Sequence, residues 1–143
     1  RLPSRRAAQR SVLTQALDLA MKILAPLLIL TASFSAIATD RVSVTIGSHG
    51  PDTDACPSFG ELTARTVVRA RPDSGSATAV ELNGGSMVHV CGTTKDGKWT
   101  SVVIALDARI DCKVSTPVPR PQFYRGPCAS GWIPTSAIKI VAG

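Results

Sequence analysis

Four cysteines are the residues of this 143-residue chain with the clearest chemistry. Cys56, Cys91, Cys112 and Cys128 are even in number, which is typical of disulfide bonding in an oxidising compartment. A zinc site needs thiolates or imidazoles at short spacings, whereas the closest cysteine pair has fifteen residues between its members and no adjacent histidine. We therefore expect two disulfides, for which the sequence allows three pairings, and no metal site.

The two histidines and the nearby carboxylates do not form a catalytic pattern. His49, Asp52 and Asp54 lie in a polar stretch that lacks the later glycine and glutamate of a calcium-binding loop. His89 lies in an apolar segment, where a structural role is the simpler interpretation. The sequence contains no Gly-x-Ser-x-Gly turn and no glycine loop leading into a helix that would bind phosphate. We expect no enzyme activity, no catalytic residues and no cofactor.

The residues between 65 and 103 have the alternation and the turns of a small β-barrel. Val67 and Val68 lead into residues 69–76, where Pro, Asp, Ser and Gly predict a loop. In residues 87–91, Val88 and Val90 alternate with Met87, His89 and Cys91, which predicts a strand with one apolar face.

Two turns frame this strand. A tight turn is predicted at residues 83–85, and Asp96-Gly97 predicts a hairpin that returns as a strand over residues 98–103. Together these elements predict a three-stranded meander. Before it, the alternation of residues 41–46 predicts a further short strand, and residues 48–60 are expected to form a loop.

The order and spacing of these turn and core positions resemble the bacterial SH3-like (SH3b) domain. The matching segments are Val68-Arg69-x-x-Pro72, Leu82-x-x-Gly85, Val88-x-Val90-x-Gly92, Gly97-x-Trp99 and Gly131-Trp132-Ile133-x-x-Ser136-x-Ile138. The resemblance implies an all-β, SH3-like barrel of about five to seven strands over residues 39–143. The chain departs from the family at Arg71, where glycine is usual, and by an insertion at residues 107–130 before the Gly131-Trp132 segment.

The insertion suggests which cysteines pair. Cys112 and Cys128 flank it like the arms of a hairpin, which favours Cys112–Cys128 and leaves Cys56–Cys91 as the second disulfide. Residues 107–114 are expected to extend the third strand, and residues 117–121 to form an extended proline-rich run. Phe123 and Tyr124 after that run either form a contact surface or cap the end of the barrel.

We expect ligand binding at the mouth of the barrel, where variable loops converge on flat aromatic side chains. The candidate binding residues are Arg69, Arg71, Asp73, Trp99, Tyr124 and Trp132. The alternative for Trp99 and Trp132 is that both are core residues, since they occupy packing positions of the resembling family.

The N-terminal residues 1–38 have the features of a leader. Met21-Lys22, the apolar residues 23–30 and the small residues Ala36 and Ala38 indicate a helical secretory signal peptide cleaved after Ala38. Residues 1–20 are either an over-extended reading frame, since Met21 can serve as the start, or a long twin-arginine leader. The apolar stretch is shorter than the roughly 18 residues of a membrane span, so we expect no stable membrane anchor after cleavage.

The positive charge of the chain belongs mostly to this leader. Residues 39–143 carry eleven Lys/Arg against nine Asp/Glu, a net charge of +2 out of +6 for the whole chain. Such a small excess argues against nucleic acid as a partner. We expect a periplasmic or secreted protein.

Two functions remain from the sequence. The first is a non-catalytic binding module of the bacterial cell envelope that recognises cell-wall peptide or glycan, as SH3b-like domains commonly do. The second is a structural or interaction protein that contacts an envelope protein through the insertion.

Overall fold

The computed structural model describes Val42 and residues 44–143, and these residues form an all-β domain. The strands in chain order are β1 (Thr45–Ile46), β2 (Ser58–Leu62), β3 (Thr66–Arg69), β4 (Thr78–Leu82), β5 (Met87–Thr93), β6 (Trp99–Ile104), β7 (Gln122–Phe123), β8 (Ala129–Pro134) and β9 (Ile138–Ala142). A 3-10 turn, Thr135–Ala137, links β8 and β9. The predicted signal peptide and its cleavage site lie outside the described residues. Within that described part, no helix is long and apolar enough to cross a membrane.

Seven strands form one antiparallel sheet in the order β4-β3-β8-β6-β5-β2-β9, and β1 and β7 form a separate two-stranded ribbon. The prediction of an all-β fold is confirmed. The sheet does not close into a barrel, because β4 and β9 lie at its two ends without pairing with each other. An open sheet keeps two edges, which a closed barrel would not have.

One face of the sheet covers an inner core of aliphatic side chains contributed by β2, β3, β4, β5, β6 and β8. Its most buried members are Leu62, Val68, Val88, Val102 and Ile133. Val88 and Val90 point into this core as their alternation predicts. Because strands from across the sheet converge on one apolar cluster, the sheet curls around it.

A second layer covers part of the opposite face, which we call the outer face. It is built from residues 44–56 and from the insertion, and its outer core contains Val44, Ile46, Cys56, Val103 and Val114. Both predicted disulfides are present, Cys56–Cys91 and Cys112–Cys128. Cys56–Cys91 joins the second layer to β5 of the sheet, so strand and layer are covalently attached.

The predicted hairpin at Asp96-Gly97 is confirmed, whereas the predicted meander is only half right. β5 and β6 pair across the hairpin, with Gly97 at φ 71° and the Asp96 carboxylate accepting from the Lys98 N–H at 3.1 Å. The turn at residues 83–85 joins β4 to β5, which are not neighbours in the sheet. Instead, the turn bonds to the end of β2, since Gly85 N–H donates to the Leu62 carbonyl at 2.7 Å.

The insertion does not extend the third strand of the predicted meander, which is β6, so this prediction was wrong. β6 ends at Ile104, and the chain turns at once, with the Ile110 N–H donating to the Asp107 carbonyl at 3.0 Å. Alternation alone could not reveal the end of the strand, because the polar side chains that close the turn also occur in exposed strands. The segment then runs along residues 44–56, where Asp54 and Pro117 form an isolated bridge.

Candidate functional site

The uncovered part of the outer face carries both tryptophans of the chain. Trp132 on β8 is paired with Arg69 on β3 and with Ser101 on β6, and Trp99 on β6 is paired with Pro134 on β8. Directly paired residues of antiparallel strands share a face, so these five side chains form one surface. The second layer covers the Val103 end of β6 and leaves the Trp99 end partly open.

Trp99 and Arg69 line a shallow cleft on this surface, which we call the Trp99 cleft. Its volume is about 260 Å³, and Arg65, Ser74 and Pro134 are among its other lining residues. Arg69 donates from Nη1 to the Ser76 carbonyl at 3.1 Å and to the Thr78 hydroxyl at 3.4 Å. Both bonds come from the Nη1 nitrogen and hold this end of the guanidinium in place. Arg65 forms an exposed ion pair with Glu81.

The predicted loop at residues 69–76 borders this cleft and is organised by a buried hydroxyl. Ser76 is almost fully buried and donates to the carbonyls of Arg71 (3.1 Å) and Asp73 (2.9 Å). The Asp73 carboxylate accepts from the Gly75 N–H at 2.9 Å, which closes the turn. Arg71 and Asp73 are both exposed on this loop and do not line the Trp99 cleft.

Trp132 lies at the border between the open surface and the second layer. It packs against the outer core and lines a neighbouring cleft of about 310 Å³ with Ser48, His49 and Ser101. Its indole Nε1 is buried and has no hydrogen-bond partner among the described residues. Trp132 and Trp99 are both half-buried, so each combines a packing role with an accessible ring edge or face.

Tyr124, also predicted as a binding residue, fastens the insertion from within. Its hydroxyl donates to the Cys112 carbonyl and accepts from the Cys128 N–H, both at 3.0 Å. Burial raises the pKa of this phenol. Tyr124 lines a third cleft of about 490 Å³ with Phe123. Four of the six predicted residues thus line three different clefts, and of these only Arg69 and Trp99 share one. Arg71 and Asp73 line none of the three clefts.

The described residues contain no cluster of three metal-binding side chains. His89 lies in a packing environment. The His89 ring stacks at a tilt against Phe59, with 4.3 Å between ring centroids. Burial lowers the pKa of His89, and Asp111 opposes this effect. Its Nδ1 is buried without a partner in the described part of the chain.

Sequence reasoning missed Arg65 and Pro134 as neighbours of Trp99. Pro134 lies in the Gly131-Trp132-Ile133 segment, and its place opposite Trp99 follows from the β6–β8 register, which the sequence does not specify. A search for similar proteins adds no further constraint. No family model, no curated protein and no solved structure matches this chain.

Proposed function

We propose that this chain is an exported, non-catalytic binding module of the bacterial cell envelope, which holds cell-wall peptide or glycan on the Trp99 cleft. The observation that carries the proposal is that the half-buried Trp99 and the hydrogen-bonded Arg69 line the same cleft on an open sheet face. A flat indole offers a surface on which sugar rings or peptide groups stack. A guanidinium with a fixed orientation binds carboxylates, which cell-wall peptides carry.

The size of the Trp99 cleft favours a polymer over a small metabolite. Its volume of about 260 Å³ is below the roughly 300 Å³ at which pockets begin to enclose a small ligand. A polymer segment that lies across an open face needs no enclosure, since it is bound through several adjacent contacts.

Two further features support an exported module of the SH3-like class. The two disulfides are typical of proteins from oxidising compartments, where they persist. The motif positions of the SH3b family lie in strands β3, β4, β5, β6, β8 and β9 and in the turns between strands. We include membership of the SH3-like family and a cleaved signal peptide in this proposal.

Co-sedimentation with purified insoluble cell walls tests this function. We expect the oxidised protein to sediment with the walls, and Trp99→Ala and Arg69→Gln to reduce retention strongly. Phe123→Ser, which alters an exposed aromatic of a different cleft, serves as the matched control. Melting temperatures of the variants identify any that fail to fold. Retention that is unchanged in folded Trp99→Ala and Arg69→Gln proteins would refute the proposed site.

A further inference from the structure

The insertion forms a second surface whose charge and shape point to a protein partner. We propose that the 490 Å³ cleft between the β1–β7 ribbon and the insertion, which we call the insertion cleft, binds an extended acidic segment of a partner protein. The surface is separate from the Trp99 cleft, with which it shares no lining residue.

The insertion carries a net positive charge, because its four Lys/Arg outnumber its two Asp/Glu. Residues 107–130 contain two carboxylates, Asp107 and Asp111. Asp107 binds the Arg109 guanidinium through two hydrogen bonds of 2.7 and 3.1 Å, and Asp111 binds Lys113 at 3.0 Å. The remaining cations of the segment, Arg120 and Arg125, make no ion pair among the described residues.

Arg125 lines the insertion cleft beside apolar side chains. Ile46 and Val118 form part of the wall, and Phe123 is 60% exposed at its margin. An apolar wall next to a guanidinium that has no ion pair in the described part of the chain is complementary to a segment with both an apolar side chain and a carboxylate.

The ribbon accounts for the extended shape of the segment. The Tyr124 N–H donates to the Val44 carbonyl at 2.8 Å, so residues 124 and 44 form a hydrogen-bonded pair of the antiparallel ladder. Phe123, opposite Thr45, therefore lies at a non-bonded position and directs its N–H and C=O away from β1. β7 has no second strand neighbour among the described residues, so a partner strand can pair with this edge.

The walls of the insertion cleft are fixed before any partner binds. The Cys112–Cys128 disulfide closes the segment, and the Tyr124 hydroxyl bridges backbone groups at both cysteines. A fixed surface has little conformational freedom left to lose on binding, which favours affinity.

Fluorescence anisotropy with a labelled, end-blocked peptide Glu-Leu-Glu-Ile-Glu-Ser tests the proposal on the oxidised full chain. Two matched peptides serve as controls. One has glutamine in place of every glutamate and so lacks the carboxylates, and the other has N-methyl groups on alternate backbone nitrogens and so lacks N–H donors for strand pairing. Of the three peptides, we expect only the unmodified acidic peptide to show saturable binding, and added salt should weaken that binding. Arg125→Gln should weaken it by about tenfold, equivalent to about 1.4 kcal/mol, and Phe123→Ser should weaken it as well.

Lys95→Gln is the matched control, because it removes one positive charge from the exposed β5–β6 hairpin. This variant and Trp99→Ala should bind the acidic peptide like the unchanged protein. The proposal would be overturned if the three peptides bound equally or if the acidic peptide did not bind. It would also be overturned if Lys95→Gln weakened binding as much as Arg125→Gln does. So would a dimer that dissociates in Arg125→Gln, since a second copy would then occupy the cleft. These outcomes do not depend on cell-wall binding at the Trp99 cleft, so the two proposals can fail independently.

Discussion

Replacement of Tyr124 by phenylalanine should destabilise the domain by about 2 kcal/mol. The substitution removes one hydroxyl and two hydrogen bonds, to the Cys112 carbonyl and from the Cys128 N–H. A hydrogen bond contributes about 1 kcal/mol net, so two contribute about 2 kcal/mol. The aromatic ring and its packing against the outer core are retained.

Urea denaturation followed by tryptophan fluorescence measures this loss, with Phe123→Leu as the control. The control changes the exposed neighbouring ring and should leave the free energy of unfolding within about 0.5 kcal/mol of the original. Gly126→Ala provides an independent check, because a Cβ at this position would lie 2.6 Å from Tyr124 Cε2. It should destabilise the original protein and have a smaller effect in a Tyr124→Ala background. A Tyr124→Phe loss below about 0.5 kcal/mol would refute the assigned role of the hydroxyl.

Three further predictions concern the disulfides, His89 and the leader. Cys56→Ser/Cys91→Ser should lower the free energy of unfolding by about 4 kcal/mol and Cys112→Ser/Cys128→Ser by about 3 kcal/mol, because the two disulfides close loops of 35 and 16 residues. A larger loss for the Cys112/Cys128 variant in urea unfolding would contradict this loop-entropy prediction. The free energy of unfolding should fall as the pH drops below 6.5, because the lowered pKa of His89 makes the unfolded chain the better proton acceptor. If His89→Gln leaves the slope of the free energy of unfolding against pH unchanged, His89 is not its cause. Exported protein should begin near Thr39, and an intact mass that includes residues 21–38 would contradict cleavage after Ala38.

The sequence predicts best those features that depend on neighbouring residues. The alternation of Val88 and Val90 identified a face of β5, and Asp96-Gly97 identified the hairpin, because both signals act within a few residues. The disulfide pairing followed from where the cysteines lie relative to the insertion, and both bridges are present as predicted.

Long-range pairing was the part that the sequence could not specify. The turn at residues 83–85 has hairpin composition, yet β4 and β5 are separated by three strands. The loop predicted over residues 48–60 is wrong at its end, because residues 58–60 belong to β2, which pairs with β5 and β9. β7 and β9 were likewise not predicted.

The same distinction applies to the candidate site. Arg69 and Trp99 were selected for their chemistry, and the sheet order brings them to one cleft. Tyr124 was selected by the same criterion, but the second layer directs its hydroxyl to backbone groups of the insertion. The existence of that layer depends on contacts between residues 44–56 and 112–118, which no local pattern reveals.

Titration of the protein with solubilised cell-wall fragments, followed by NMR of the indole N–H groups, tests the proposed function most directly. The chain has two tryptophans, so the spectrum contains two indole signals, which Trp99→Phe and Trp132→Phe assign. Saturable binding at the Trp99 cleft predicts that the Trp99 signal shifts with the fragment concentration and that Arg69→Gln weakens the titration. Binding of the fragments without any shift of the Trp99 signal, or an undiminished titration in Arg69→Gln, would contradict the proposal.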